Sequence, residues 1–232
     1  MNPYVIWIII AVLAISTALS IFSSIQQKKR IAALTALAPI LGFNFEGENW
    51  SNPTRAPRLQ TALFDRGRDQ RFKNIMSGNF AGMSTSVFDY FYTTGGGRSS
   101  QTWSQTVVAF SIDSSLPSFE LRPESFIDRI GDAFTHKDID FPSNPEFSHR
   151  YLLRGPEEIK ICELFTPALL AFLEQMPADK IWHIEAESYT FLLYRSGVLV
   201  APEAIRGFLE ETSSVTKTFL SCCDLKNPAK QP

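Results

Sequence analysis

The most pronounced feature of the hydrophobic pattern is at the start of the chain. From Tyr4 to Ile25 the run YVIWIIIAVLAISTALSIFSSI carries no charge over 22 residues. As a helix it would measure about 33 Å, against a bilayer hydrocarbon core of about 30 Å. Tyr4 and Trp7 stand at one end, where amphipathic rings favour the interface, and Lys28, Lys29 and Arg30 follow at the other. The pattern predicts a single-pass transmembrane helix with a basic flank over residues 1–30. The positive-inside rule then predicts the N-terminus outside and the remaining chain on the cytoplasmic side of a cell inner membrane. A cleaved leader is the alternative reading, with Ala18-Leu19-Ser20 as the small-residue site, but a leader carries its positive charge ahead of the apolar run. Ala14 and Ala18, like Ser16, Ser20 and Ser24, recur every four residues. Such a stripe either lets two spans pack into a homo-oligomer or simply faces lipid.

After the basic triplet, IAALTALAPILGF keeps a helical apolar spacing until Pro39 and Gly42. This predicts a juxtamembrane interfacial helix and a polar linker, residues 31–58 together. From Leu59 to Glu124 the period becomes that of strands. NIMSGNFAGMSTSVFDYFYTT is rich in β-branched and aromatic residues, with a turn expected at Ser77-Gly78-Asn79; TWSQTVVAFSI and SFELR follow as further strands. Beyond this antiparallel meander, Pro123 opens a helix carrying Phe126, Ile127 and Ile130, Pro156 opens a second, and Thr166-Pro167 a third with Leu169, Leu170, Phe172 and Leu173 as its buried stripe. Two strands, IWHIEAE and YTFLLYR, meet across Ser188. Pro202 then starts a last helix with Ile205, Phe208, Leu209, Val215 and Phe219 on one face. Segregated strands and helices predict an α+β fold: an N-terminal transmembrane helix, one domain over residues 59–223 with an antiparallel meander, and a frayed tail at 224–232.

Composition adds exclusions. The hydrophobic set makes up 44% of the 232 residues, 19 of them Phe, so the material for a core is ample. A net charge of −2 with interspersed signs gives no footprint for nucleic acid. Cys162, Cys222 and Cys223 form neither a disulfide framework nor a thiolate metal site, and Cys162, within an expected helix, reads as a small core residue.

The segments FDRGRDQRFKNIMSG, VFDYFYTTGGG, QTWSQTVVAF and LPSFELRPE, followed by DIDF, PEFSHRYLLRG, PEEIKICELFTPALLAFLE and LLYRSGVLVAPEAI, run in order through nearly all of the chain beyond the anchor. In them the chain resembles a group of bacterial single-span membrane-anchored proteins with no assigned activity. The resemblance implies one anchored domain and transfers no catalytic residue or cofactor.

Candidate chemistry is sparse. Gly95, Gly96 and Gly97 with Arg98 lie between strands and lack the pattern of a phosphate loop, which leaves a hairpin turn. His183, Glu185 and Glu187 alternate on one expected strand and share a face, which is either a metal-chelating set or an ordinary solvated face. His136, Asp138 and Asp140 repeat the pattern. Arg66, Arg68 and Arg71, among Asp65, Asp69 and Lys73, form either a site for an anionic lipid headgroup or a surface salt-bridge cluster. Asp89, within an aromatic strand, is expected to pair with one of these arginines if buried. No nucleophile elbow or Cys–His pairing stands at a specific spacing. The leading expectation is a non-enzymatic binding or scaffold module tethered at the cytoplasmic membrane face with an unknown protein partner. The alternative is a metal-dependent hydrolase built on the His183 strand.

Overall fold

In the computed structural model, which describes residues 3–47, 61–124, 138–177 and 180–223, the apolar run continues past its basic flank. Helix α1 (Pro3–Ile40) is 38 residues long and unbroken. Its first part is long and apolar enough to cross a membrane and is not buried by the rest of the chain. Its last turns behave differently, since Leu34, Ala38 and the following Leu41 are all buried in the main core. Gly42, at φ +73°, ends the helix, and β1 (Phe43–Gly47) follows directly. The expected interfacial helix and linker over 31–58 is therefore corrected over its described part: residues 31–47 belong to the folded domain. An apolar stripe beside a span looks the same in sequence whether lipid or protein covers it. Residues 48–58, with Pro53 and Pro57, lie outside the described residues, as does the tail 224–232.

The remaining strands are β2 (Arg68–Phe80), β3 (Met83–Thr94), β4 (Gln101–Pro123), β5 (Tyr151–Arg154) and β6 (His183–Tyr194). Their spatial order is β1-β2-β3-β4-β5 with β6 on β4, and every pairing is antiparallel. The meander is thus as expected, but its punctuation differs. The β2–β3 turn falls at Ala81 and Gly82, both at positive φ (+53° and +88°), the backbone that tight hairpins need. Gly78 lies inside β2 opposite Phe43, and a Cβ there would stand 2.5 Å from the Phe43 ring and 2.8 Å from the Gly42 carbonyl oxygen. Its glycine serves close approach, not a turn. The two strands expected either side of Leu116-Pro117 are one 23-residue strand, with Pro117 inside the register shift between Leu116 and Phe119, where its missing N–H leaves no ladder partner unmet. IWHIEAE and YTFLLYR are likewise one strand, bent at Ser188 (φ +53°).

Helices α2 (Pro145–Arg150), α3 (Glu158–Leu164), α4 (Pro167–Glu174) and α5 (Ile205–Cys222) complete the domain. Thr166 caps α4, its hydroxyl accepting from the Leu169 N–H at 3.2 Å. The expected helix of Phe126, Ile127 and Ile130 lies outside the described residues. Cys162 on α3 is exposed, not a core residue. Helix residues such as Leu169, Leu173, Leu209 and Phe219 cover one face of the sheet together with Leu34 and Ala38 of α1. The other face carries a second core of Phe88, Tyr90, Tyr92, Val107, Leu192 and Tyr194, closed by Leu63. The sheet is therefore buried on both sides.

Gly78→Ala should overpack the β1–β2 contact and destabilise the domain by about 1–3 kcal/mol, lowering the melting temperature of the full chain in detergent by about 2–4 °C per kcal/mol. Gly96→Ala is the control: nothing lies within 4 Å of its Cβ position and its φ is −146°, so its melting curve should overlie that of the parent.

Candidate functional site

Two buried polar clusters, one on each face of the sheet, hold the chemistry of the domain. On the helix-covered face stands Asp89 of β3, 1% exposed. Arg30 of α1 grips it in a fork, Nε donating to Oδ2 and Nη2 to Oδ1, both at 2.7 Å. Asn74 Nδ2 donates to Oδ2 at 2.7 Å and the Thr106 hydroxyl to Oδ1 at 2.8 Å. Four donors occupy the roughly four lone-pair sites of a carboxylate. Arg30 also donates from Nη1 to the Val200 carbonyl at 2.7 Å, and the Val200 N–H donates to the Thr106 hydroxyl at 2.9 Å. One buried ion pair thus joins the anchor helix to β2, β3, β4 and the loop after β6.

This partner corrects the expectation that Asp89 would take an arginine from the Arg66–Arg71 stretch. Alternation puts Asp89 on the face that α1 covers, whereas Arg66 packs against the opposite face. Sequence reasoning missed Arg30 because its place after the span reads as a topogenic charge. The available signal was helical phase: Arg30, Leu34, Ala38 and Leu41 fall on one stripe.

On the opposite face Glu185 is fully buried. Its Oε2 accepts from the Leu63 N–H at 2.9 Å and its Oε1 from the Tyr194 hydroxyl at 2.7 Å. Glu120, directly across the β4–β6 ladder, accepts from Arg66 Nη2, and Arg122 Nε stands 3.7 Å from the same oxygen. The His183 ring stacks on Tyr194 with centroids 4.8 Å apart. Tyr194 and Glu185 are nine residues apart, about 30 Å in a straight strand. Their hydrogen bond therefore requires β6 to curl, which the bend at Ser188 provides. Burial, then the facing Glu120 carboxylate, push the Glu185 carboxyl up; burial and Glu185 push the Tyr194 phenol well up. Burial opposes the charge on Arg66, but the acidic oxygens around it, with the Glu120 carboxylate in direct contact, outweigh that and keep it protonated. With Glu185 and Tyr194 shut from solvent, the cluster straps the segment Thr61–Arg66 onto the curled sheet.

The predicted metal set is corrected on this geometry. Glu185 is not on a solvated face, both its oxygens are engaged, and His183 lies flat on a tyrosine. Among the described residues no three His, Cys, Asp or Glu side chains are grouped to hold a metal ion. His136 lies outside the described residues. Asp138 accepts from the Leu153 N–H at 3.1 Å, and it lines, with Asp140, Glu124 and His149, an open cleft of about 360 Å³ that His183 does not reach. Of the lipid-headgroup set, Arg66 is half-buried against Glu120, whereas Arg68 and Arg71 are exposed at the start of β2. Arg68 donates to the Gly95 carbonyl and stands 3.5 Å from Asp69.

These features define an α+β domain carried on an N-terminal anchor helix whose last turns form part of its core. A solved structure of similar fold is the mycobacterial trehalose monomycolate transport factor A. It covers 87% of this chain and 98% of its own at 13% identity and a TM-score of 0.57, so the likeness is one of fold. No protein-family profile and no curated protein matches the chain.

Arg30→Met leaves Asp89 buried with no counter-charge and should cost about 3–5 kcal/mol in denaturant unfolding of the full chain in micelles. The double variant Arg30→Met/Asp89→Leu, which removes both charges, should lose less than Arg30→Met alone. A second prediction concerns pH. Because the folded pKa of Glu185 lies above its ordinary value of 4.5, its contribution to stability is fully present below the unfolded pKa and is lost as pH rises through the folded pKa. In Glu185→Gln this component should vanish, leaving a stability–pH curve that falls less steeply above the ordinary carboxylate range.

Proposed function

We propose that this protein is a membrane-tethered, non-enzymatic binding or scaffold module, presented in a fixed pose at the cytoplasmic face of a bacterial inner membrane. The observation that carries the reading is the Arg30–Asp89 joint. A tether that only had to hold a domain near a membrane would need a flexible linker, whereas here the anchor helix enters the core and is bonded to the sheet. A fixed pose serves presentation of a surface to a partner in the same membrane. The similar fold of a protein described as a transport factor supports an accessory role beside a membrane process, and the resemblance to bacterial single-span proteins supports the setting. Lys28 and Lys29, both exposed just after the span, support the N-out orientation.

Exposed Cys162 reports the orientation without any substitution. In intact cells a membrane-impermeant maleimide at pH 8 should leave it unmodified and should label it once the inner membrane is opened; Cys162→Ser identifies the signal. Labelling in intact cells would reverse the topology. The scaffold reading is tested by photocrosslinking of the full-length protein in its native membrane from exposed Ile159 and Tyr189. The expected outcome is one recurrent integral-membrane partner, retained when Asp138 or His149 in the open cleft is replaced by alanine. Crosslinks that scatter over many proteins from every exposed position would refute it.

A further inference from the structure

The loop between β6 and the short turn of helix at Pro202–Ala204 is held rigidly yet presents two aliphatic side chains to solvent. Val198 is 44% and Leu199 38% exposed. Their backbone is nonetheless fixed: the Thr106 N–H donates to the Val198 carbonyl at 2.9 Å, the Val198 N–H to the Arg195 carbonyl at 3.2 Å, and the Val200 N–H to the Thr106 hydroxyl at 2.9 Å. A loop pinned in this way cannot fold its apolar side chains inward.

Its position follows from α1. Arg30 lies five residues after Ile25, the last apolar residue of the span, or about 8 Å along the helix axis. Arg30 bonds the Val200 carbonyl, so Leu199 and Val198 are one and two residues from a group in contact with the anchor just outside the bilayer. The direction of the sheet agrees. Phe43, just beyond the far end of α1, pairs with Gly78, across from Thr85, while Arg30 meets Asp89, so β3 runs toward the membrane from Thr85 to Asp89. The loop continues from Tyr194 beside Val107 past Thr106 toward Gln105, and so reaches further in that direction. Half-buried Trp103 lies beside Gly197 at the same end, and Lys28 and Lys29, two residues and one residue before Arg30 on α1, are exposed. Aliphatic tips, an amphipathic ring and two lysines are the chemistry of an interfacial contact.

We propose that the loop of residues 196–200 docks into the headgroup layer of the membrane that α1 crosses, with Val198 and Leu199 inserted among the lipids and Lys28 and Lys29 against their phosphates. The occupant of this apolar patch is lipid and not a second protein, because the patch hangs from the anchor at Arg30, about 8 Å along the helix axis from the end of the span. The inference rests on the anchored reading of α1, and the test separates the two.

The full-length protein, with its three cysteines replaced by alanine, carries one environment-sensitive fluorophore at Leu199→Cys, Val198→Cys, Ile10→Cys or Tyr189→Cys. It is reconstituted in phosphatidylcholine–phosphatidylglycerol vesicles with or without nitroxide-labelled lipid. Ile10 lies within the span, and Tyr189 is exposed beside the bend of β6 at Ser188. The expected result is blue-shifted emission and loss of intensity to the nitroxide lipid at 199, 198 and 10, with 189 unaffected. Quenching at 10 with water-like emission at both 199 and 198 would overturn the insertion and leave the anchor standing. Absence of quenching at 10 would overturn the anchored reading and the insertion together.

Discussion

The fold turns on one buried ion pair. Removing Asp89 from water is unfavourable by several kcal/mol unless every lone pair is answered, and here Arg30, Asn74 and Thr106 answer them all. Each donor comes from a different element, so the pair is satisfied only when α1, β2, β3 and β4 are in register. Asn74 makes the point in its backbone: it sits at φ +54° within a register shift of β2, a conformation that its amide can adopt and that aims the side chain at Asp89. The bulge in β2 is thus part of the joint between anchor and sheet. Specificity of this kind is the best-attested use of a buried charge, since apolar residues of the same volume would pack as well and tolerate slippage.

The meander, the capped helix at Thr166 and the stripe of the last helix were all legible, because each depends on local periodicity and on punctuation by Gly or Pro. What stayed hidden depends on partners far along the chain. Gly78 reads as a turn until Phe43, 35 residues earlier, is found against it. Tyr151–Arg154 is too short to show a period and becomes a strand only through Glu120–Pro123. Most of the errors at the candidate site share one cause. Alternation along IWHIEAE was read as a buried face and a solvated one, whereas the segment Thr61–Arg66 covers the second face. Once Leu63 closes that side, Glu185 cannot be a surface ligand, and its polarity is explained by Tyr194 and the Leu63 N–H.

The two clusters divide the work between the faces. The Asp89 cluster binds the anchor to the sheet, and the Glu185 cluster binds a connecting segment across a strand that has to curl. Glu120 and Glu185 face each other on adjacent strands, which is unfavourable for two carboxylates. The guanidiniums of Arg66 and Arg122 and the hydroxyl of Tyr194 offset this, and they come from three elements. Like the Asp89 joint, the arrangement is costly in isolation and favourable only in the complete fold.

A helix that is both membrane span and core element couples two environments that a flexible linker would keep apart. Tilt of the span in the bilayer is transmitted to the sheet, because the helix has no break between Tyr4 and Ile40 and is bonded at Arg30. The reverse holds as well: whatever the domain meets at the membrane surface acts on the span through the same bond. The arginine that sequence reading assigned to topology is a structural member of the domain. Lys28 and Lys29 remain exposed, while Arg30, one residue on, is turned inward by the helical phase that it shares with Leu34 and Ala38.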